Sequence, residues 1–179
     1  AGVAALFISD QVFPNRCGYL PGKQIVPVEQ ILAKLKAALD ARTDPDLMIV
    51  ARTDAASVEG ADQAIARCQL FMEAGADMAK PMGFDTIPDI KRALREIPGP
   101  HMATLSQAAG PKARSLPDLE AAGVAAATFP SVALFAAANA VRNVVRTLKT
   151  ENSLAPCQPQ LIPLEDYYDL VGLKSLLTR

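Results

Sequence analysis

Short apolar or β-branched runs alternate with longer stretches of helical period, and this alternation limits the fold more than any other feature of the chain. The runs lie near Val3 to Ile8, Leu47 to Ala51, Ala76 to Ala79, His101 to Leu105 and Ala125 to Phe129. Between them the spacing predicts helices over Val28 to Ala41, Ala61 to Ala74, Ile87 to Glu96 and Leu116 to Ala122. The second of these carries Ile65, Cys68, Phe71 and Met72 on one face. Two further helices are expected after the last strand, over about Val132 to Lys149 and Leu164 to Leu177, separated by the Pro-rich linker SLAPCQPQLIP. Strict strand–helix alternation implies parallel strands joined by helical crossovers, hence an α/β fold.

A small repeat refines this. Ala74-Gly75-Ala76-Asp77 and Ala122-Gly123-Val124-Ala125 each close a helix with a glycine suited to a left-handed cap and step straight into a strand. Ala1-Gly2-Val3-Ala4 has the same form, so the chain is expected to lack an N-terminal portion. A complete barrel of eight βα units takes roughly 250 residues. The 179 residues are therefore read as a partial (β/α)8 barrel of TIM type, with about five units in residues 1–150, followed by a linker and C-terminal helix in 151–179. A smaller open sheet is the alternative.

The composition narrows the partners. With a formal net charge of -1 the chain offers no basic surface for nucleic acid, and no apolar segment reaches the roughly 20 residues a membrane span needs. Three cysteines, Cys17, Cys68 and Cys157, have spacings that suit neither a disulfide framework nor a zinc site. A cytoplasmic protein with a small-molecule partner is the expectation.

In either architecture the ligand site lies at the C-terminal ends of the strands. Those ends carry Ser9, Asp10 and Gln11; Arg52, Thr53 and Asp54; Lys80, Pro81 and Met82; Thr104, Ser106 and Gln107; and Thr128 and Pro130. Arg52 shares strand parity with Met48 and Val50, so if these point into a barrel its guanidinium does too. There it serves either to bind a carboxylate bidentately or to form a structural ion pair with Asp10 or Asp54. Lys80 admits Schiff-base chemistry, with an ion-paired or solvated lysine as the blander reading. His101 begins a strand, on the face associated with stability rather than catalysis. Cys17 sits in the loop NRCGYLPGK, where no apolar period calls for a small hydrophobe. Arg16 beside it favours a thiolate or positions an anion, and Gly18 permits close backbone approach to a ligand.

The runs DQVFPNRCGYLPGK, VARTDA and EAGAD, together with the closing LEDYYDLVGLKSLL, resemble the isocitrate lyase and phosphoenolpyruvate mutase superfamily, most closely its methylisocitrate lyase-like branch. That resemblance implies a (β/α)8 barrel and a homo-oligomer, a tetramer in the family, in which dimers exchange their last helix. It also implies a magnesium ion and a carbon–carbon lyase that cleaves a 2-hydroxy or 2-oxo dicarboxylate in retro-aldol fashion. By motif, Cys17 is the acid that protonates the carbanion and Arg52 stabilises the carboxylate and enolate. Arg16 and Gly18, with Thr104 and Ser106, contact substrate, and Asp10 is the candidate magnesium ligand. Alternatives are an oxaloacetate-type decarboxylase or hydrolase, a phosphonomutase, and a non-catalytic remnant.

The chain also departs from the family pattern. Ser9-Asp10-Gln11 stands for EDQ, Asn15 and Tyr19 flank the cysteine where KRCGH is usual, Met82 replaces a glutamate, and residues 103–107 replace ANMTE. The aspartate pair that binds magnesium in the family is expected before Ala1. The substrate is therefore expected to differ from methylisocitrate, and the retained cysteine favours a lyase over a phosphonomutase.

Overall fold

The computed structural model describes residues 2–106 and 115–177. Its strands are β1 (Ala5–Ser9), β2 (Met48–Thr53), β3 (Met78–Pro81), β4 (Met102–Thr104) and β5 (Ala126–Thr128). The helices between them are α1 (Val28–Ala41), α2 (Ala61–Glu73), α3 (Ile87–Glu96) and α4 (Leu116–Ala122). The chain divides into two compact units, Ala1–Pro130 and Ser131–Arg179.

In the first unit β1 pairs with β2, β2 with β3, and β4 with β5, all in parallel. A parallel bridge between Ala79 and His101 links β3 to β4, so the strands follow one another in chain order. This is the arc of a (β/α) barrel, the first of the two architectures the alternation allowed. Gly75 and Gly123 take φ of 99 and 96, the left-handed turn that lets α2 and α4 end and the next strand begin at once. A Ser115–Asp118 capping box starts α4.

The two faces of the arc have different work. Leu6, Ile8, Ile49, Ala51, Ala79, Ala103 and Ala127 pack with Ile31, Leu35, Ile65, Cys68, Phe71, Ile90 and Leu119 of the helices, forming the main core. The alanines are small enough to let the helices lie close to the strands. The alternate positions, Phe7, Val50, Arg52, Met78, Lys80, Thr104 and Thr128, line the opposite, inner face.

One buried carboxylate ties the first two strand ends together. Asp10 is fully buried. Its Oδ2 accepts the Thr53 hydroxyl at 2.6 Å and lies 3.6 Å from Arg67 Nη1, while its Oδ1 accepts the Asp54 amide at 3.0 Å. Its backbone carbonyl accepts from Val26 N–H at 2.8 Å. Arg67 falls among Ala64, Cys68 and Phe71 on the buried face of α2, and also donates to the Val26 carbonyl and pairs with Glu59. Burial pushes the Asp10 carboxyl above its usual value, against the lowering effects of Thr53, the Asp54 amide and Arg67.

In the second unit α5 (Val132–Glu151) is followed by a 3₁₀ turn over Ala155–Gln160, then α6 (Leu164–Leu170) and α7 (Leu173–Leu177). The single terminal helix expected over Leu164 to Leu177 is therefore two: the chain turns at Gly172, whose φ of 66 cannot continue a right-handed helix. The compact units part between Pro130 and Ser131, whereas the sequence reading ends the barrel at residue 150. Among the described residues no helix is long and apolar enough to cross a membrane.

Replacing Asp10 with alanine strands the Arg67 guanidinium and the Thr53 hydroxyl in a buried site. We expect Asp10→Ala to lower the unfolding free energy by about 3 kcal/mol, read as a reduced midpoint in urea denaturation with an unchanged slope.

Candidate active site

The end of β1 begins a long loop whose base is fastened in three places. Gln11 forms an antiparallel bridge with Ile25, Val12 N–H donates to the Gln24 carbonyl at 2.9 Å, and Val26 N–H donates to Asp10. Inside the loop the Gln11 side chain grips the backbone of Arg16 twice, accepting its N–H at 2.9 Å and donating to its carbonyl at 3.1 Å. Lys23 Nζ donates to the carbonyls of Gly18 at 2.6 Å and Leu20 at 3.0 Å, and Leu20 N–H donates to the Cys17 carbonyl at 2.9 Å. The loop is thus held by its own polar groups, with little apolar packing, which agrees with the lack of hydrophobic period in its sequence.

Arg52 ends β2 on the inner face, paired in register with Ser9 on one side and Lys80 on the other. Its Nε lies 2.8 Å from Asp54 Oδ2 and its Nη2 3.2 Å from Oδ1, a two-point grip that fixes the plane of the guanidinium. Of the two partners weighed from sequence, Asp54 is the one it meets; Asp10 is occupied with Thr53, the Asp54 amide and Arg67. Ion pairing and ligand binding are compatible here, because Nη1 takes no part in the Asp54 contacts.

Gly18 lies directly on this pair. A Cβ added there would stand 3.2 Å from Arg52 Nη2, 3.5 Å from Asp54 Oδ1 and 2.7 Å from the tip of Met82. A side chain there would have to displace the Met82 tip and crowd the Arg52 guanidinium. Cys17, one residue before Gly18, is exposed.

The other candidates are distributed unevenly. Arg16 turns back into its own loop, with Nη1 3.4 Å from the Pro21 carbonyl, and lines a cavity of about 220 Å³ with Gln11, Phe13 and Gly22. Thr104 and Ser106 are buried at the end of β4, where Thr104 Oγ1 lies 3.4 Å from Thr128 Oγ1 and 3.9 Å from Met82 Sδ. Gln107 lies outside the described residues. His101 is buried at the start of β4 with Nε2 3.1 Å from the Ile97 carbonyl, and burial lowers its pKa, so it stays neutral within the wall. Lys80 is buried, donates to Thr128 at 2.9 Å and lies 5.3 Å above the Phe7 ring.

The carboxylates do not form a magnesium shell. Asp10 accepts from the Thr53 hydroxyl and the Asp54 amide, and Asp54 has both oxygens on Arg52, so the two carboxylates do not converge on one vacant point. Among the described residues no group of three or more His, Cys, Asp or Glu side chains is arranged to hold a metal ion. The reason is geometric: magnesium demands near-octahedral oxygen ligands, and these oxygens face protein donors instead.

Sequence reasoning did not anticipate Gln11 as the clamp of the loop or Arg67 as the counterion behind Asp10. Arg67 was discoverable, since it stands three residues after Ala64 and four before Phe71, on the apolar face of its helix. Gln11 carried no comparable signal.

Three similarities place the chain among known proteins. Over 176 residues it is 33% identical to the 2,3-dimethylmalate lyase of Eubacterium barkeri, covering 98% of this chain and 61% of that one. Over 153 residues it is 38% identical to the 2-methylisocitrate lyase of Escherichia coli (strain K12), covering 86% of this chain and 52% of that one. The chain thus spans between about half and three fifths of the length of these relatives. The solved structure of a phosphonopyruvate hydrolase with oxalate and Mg++ matches with a TM-score of 0.80 at 26% identity, over 99% of this chain and 62% of that one. The family model for phosphoenolpyruvate phosphomutase matches residues 1–149, which agrees with the parallel arc and its strand-end site: the chain belongs to the phosphoenolpyruvate phosphomutase family.

Proposed function

We propose that this chain carries the catalytic strand ends of a carbon–carbon lyase acting on a 2-hydroxy or 2-oxo dicarboxylate. The observation that carries the reading is the seating of Gly18 on the Arg52–Asp54 pair, which joins the cysteine loop to a fixed, inward-facing guanidinium. Two relatives bear the names of lyases for substituted malate or isocitrate.

The division of labour is the one the resemblance implies. Arg52, oriented by Asp54, binds a substrate carboxylate and stabilises the charge that develops on it as the carbon–carbon bond breaks. The thiol of Cys17 delivers its proton to the resulting carbanion and is left as thiolate, to be reprotonated from solvent. The Gly18 backbone permits the approach, and Thr104 and Ser106 supply hydroxyls at the far side of the site. Arg16 acts on the loop rather than directly on the ligand. The magnesium expected from the resemblance finds no shell among the described residues, and no step is assigned to it. A cytoplasmic setting suits the three free cysteines. A homo-oligomer suits the exposed apolar side chains Leu134, Val141, Val145 and Leu148 along α5.

Release of a 2-oxo acid from substituted malates tests the chemistry. We expect Cys17→Ala to reduce turnover by roughly a hundredfold or more while leaving the urea midpoint unchanged, because the side chain is exposed. Full turnover in that variant would remove the loop from the mechanism. Binding tests the anchor: in calorimetric titration with oxalate, Arg52→Met should bind roughly ten- to a hundredfold more weakly, the loss of about 1.5–3 kcal/mol of charged hydrogen bonding. Sedimentation velocity should return a mass above the 18.9 kDa of one chain; a monomer across the micromolar range would refute the oligomer.

A further inference from the structure

Lys80 is used by none of the steps above, yet it occupies the centre of the inner face. Its register partner is Arg52, so the two side chains leave adjacent strands about 5 Å apart on the same side of the sheet. It is 5% exposed and, among the described residues, has no ion-pair partner. Its nearest carboxylate influence, Asp54, is committed to Arg52 through both oxygens. What the amine has instead is a hydroxyl relay, Thr128 at 2.9 Å and then Thr104 a further 3.4 Å on, and the face of Phe7, itself half exposed. A desolvated lysine beside a second cation is the setting in which an amine becomes a nucleophile. Burial first, and then the Arg52 charge, lower its pKa to about 8, with Asp54 opposing them. A substantial fraction is therefore uncharged in mildly alkaline solution.

We propose that Lys80 forms an imine with a 2-oxo dicarboxylate and, through it, decarboxylates a 2-oxo acid that bears a carboxylate on its third carbon. The inference rests on Arg52 as the carboxylate anchor. The neutral amine attacks the C2 carbonyl, forming a C–N bond; the carbonyl oxygen takes up two protons, one from the attacking nitrogen and one by way of the nearest hydroxyls, Thr128 and Thr104, and leaves as water, giving the iminium. The C3–C4 bond then breaks. Carbon dioxide departs and the electron pair passes through C2 to the iminium nitrogen, giving an enamine. Protonation at C3 and addition of water return a 2-oxo monocarboxylate and the free lysine, with no oxidant or reductant consumed. The imine supplies an electron sink from the chain's own atoms.

Trapping tests the bond directly. The full chain is incubated with pyruvate and cyanoborohydride in EDTA, and its peptides are mapped by mass. We expect one carboxyethyl group on Lys80, with a yield that rises as the pH passes through about 8. We also expect EDTA-resistant carbon dioxide release from oxaloacetate that falls to the uncatalysed rate in both Lys80→Arg and Lys80→Met, with circular dichroism confirming that each variant is folded. The wild-type map stands even if a variant does not fold. No adduct, or equal labelling of exposed lysines such as Lys34 and Lys36, would overturn the proposal, as would unchanged decarboxylation in a folded variant. Oxalate titration separates the two readings: binding without trapping refutes only the imine, whereas loss of both removes the Arg52 anchor as well.

Discussion

The buried Asp10 carboxylate is the interaction on which the strand-end geometry depends. It stands where β1 leaves the sheet and accepts the Thr53 hydroxyl and the Asp54 amide, so the ends of the first two strands are joined through one side chain. Arg67 approaches it from α2 and reaches Val26 where the loop returns. A single buried charge with three donors thus aligns the end of β2, the return of the loop and a helix. Desolvation makes that charge costly, as its raised pKa shows, so its donors have to be held in place.

The functional groups inherit their positions from this brace. Asp54, whose amide is fixed by Asp10, uses its carboxylate to orient Arg52, and Gly18 settles on the pair they form. The loop is fastened at its base by backbone bonds and inside by Gln11, whose amide reads the backbone of Arg16 from both sides. Departures from the family pattern also acquire a place. Met82 lies beside Gly18 and Thr104, a soft apolar contact where the family carries a glutamate. Among the described residues the inner face consequently holds more positive than negative charge, with Arg52 and Lys80 against Asp54, which suits an anionic ligand.

Much of this was legible in the sequence because it depends on local periodicity. The alternation of runs marks all five strands and the four intervening helices, since core burial enforces a period of two in one and of 3.6 in the other. Parity on β2 correctly directs Arg52 to the inner face, away from the helices that cover Ile49 and Ala51. Local reading failed at the C-terminus, where an apolar pattern runs unbroken from Leu164 to Leu177 but the backbone turns at Gly172. A glycine is tolerated inside a helix as well as at its end, and only the surroundings decide which occurs.

The sequence by itself determined the fold class and nominated the strand ends and the candidate groups Cys17, Arg52 and Lys80, because these follow from pattern and motif. Only the tertiary structure decided what each group meets. It assigned Asp54 rather than Asp10 to Arg52, gave Asp10 the Thr53 hydroxyl as its partner, and set Lys80 beside Arg52 with a hydroxyl in place of a carboxylate. The physical reason is that charge partnership depends on separations of a few ångströms between residues more than forty positions apart, as with Asp10 and Thr53 or Lys80 and Thr128. Such distances are created by packing helices on a sheet and leave no period in the chain.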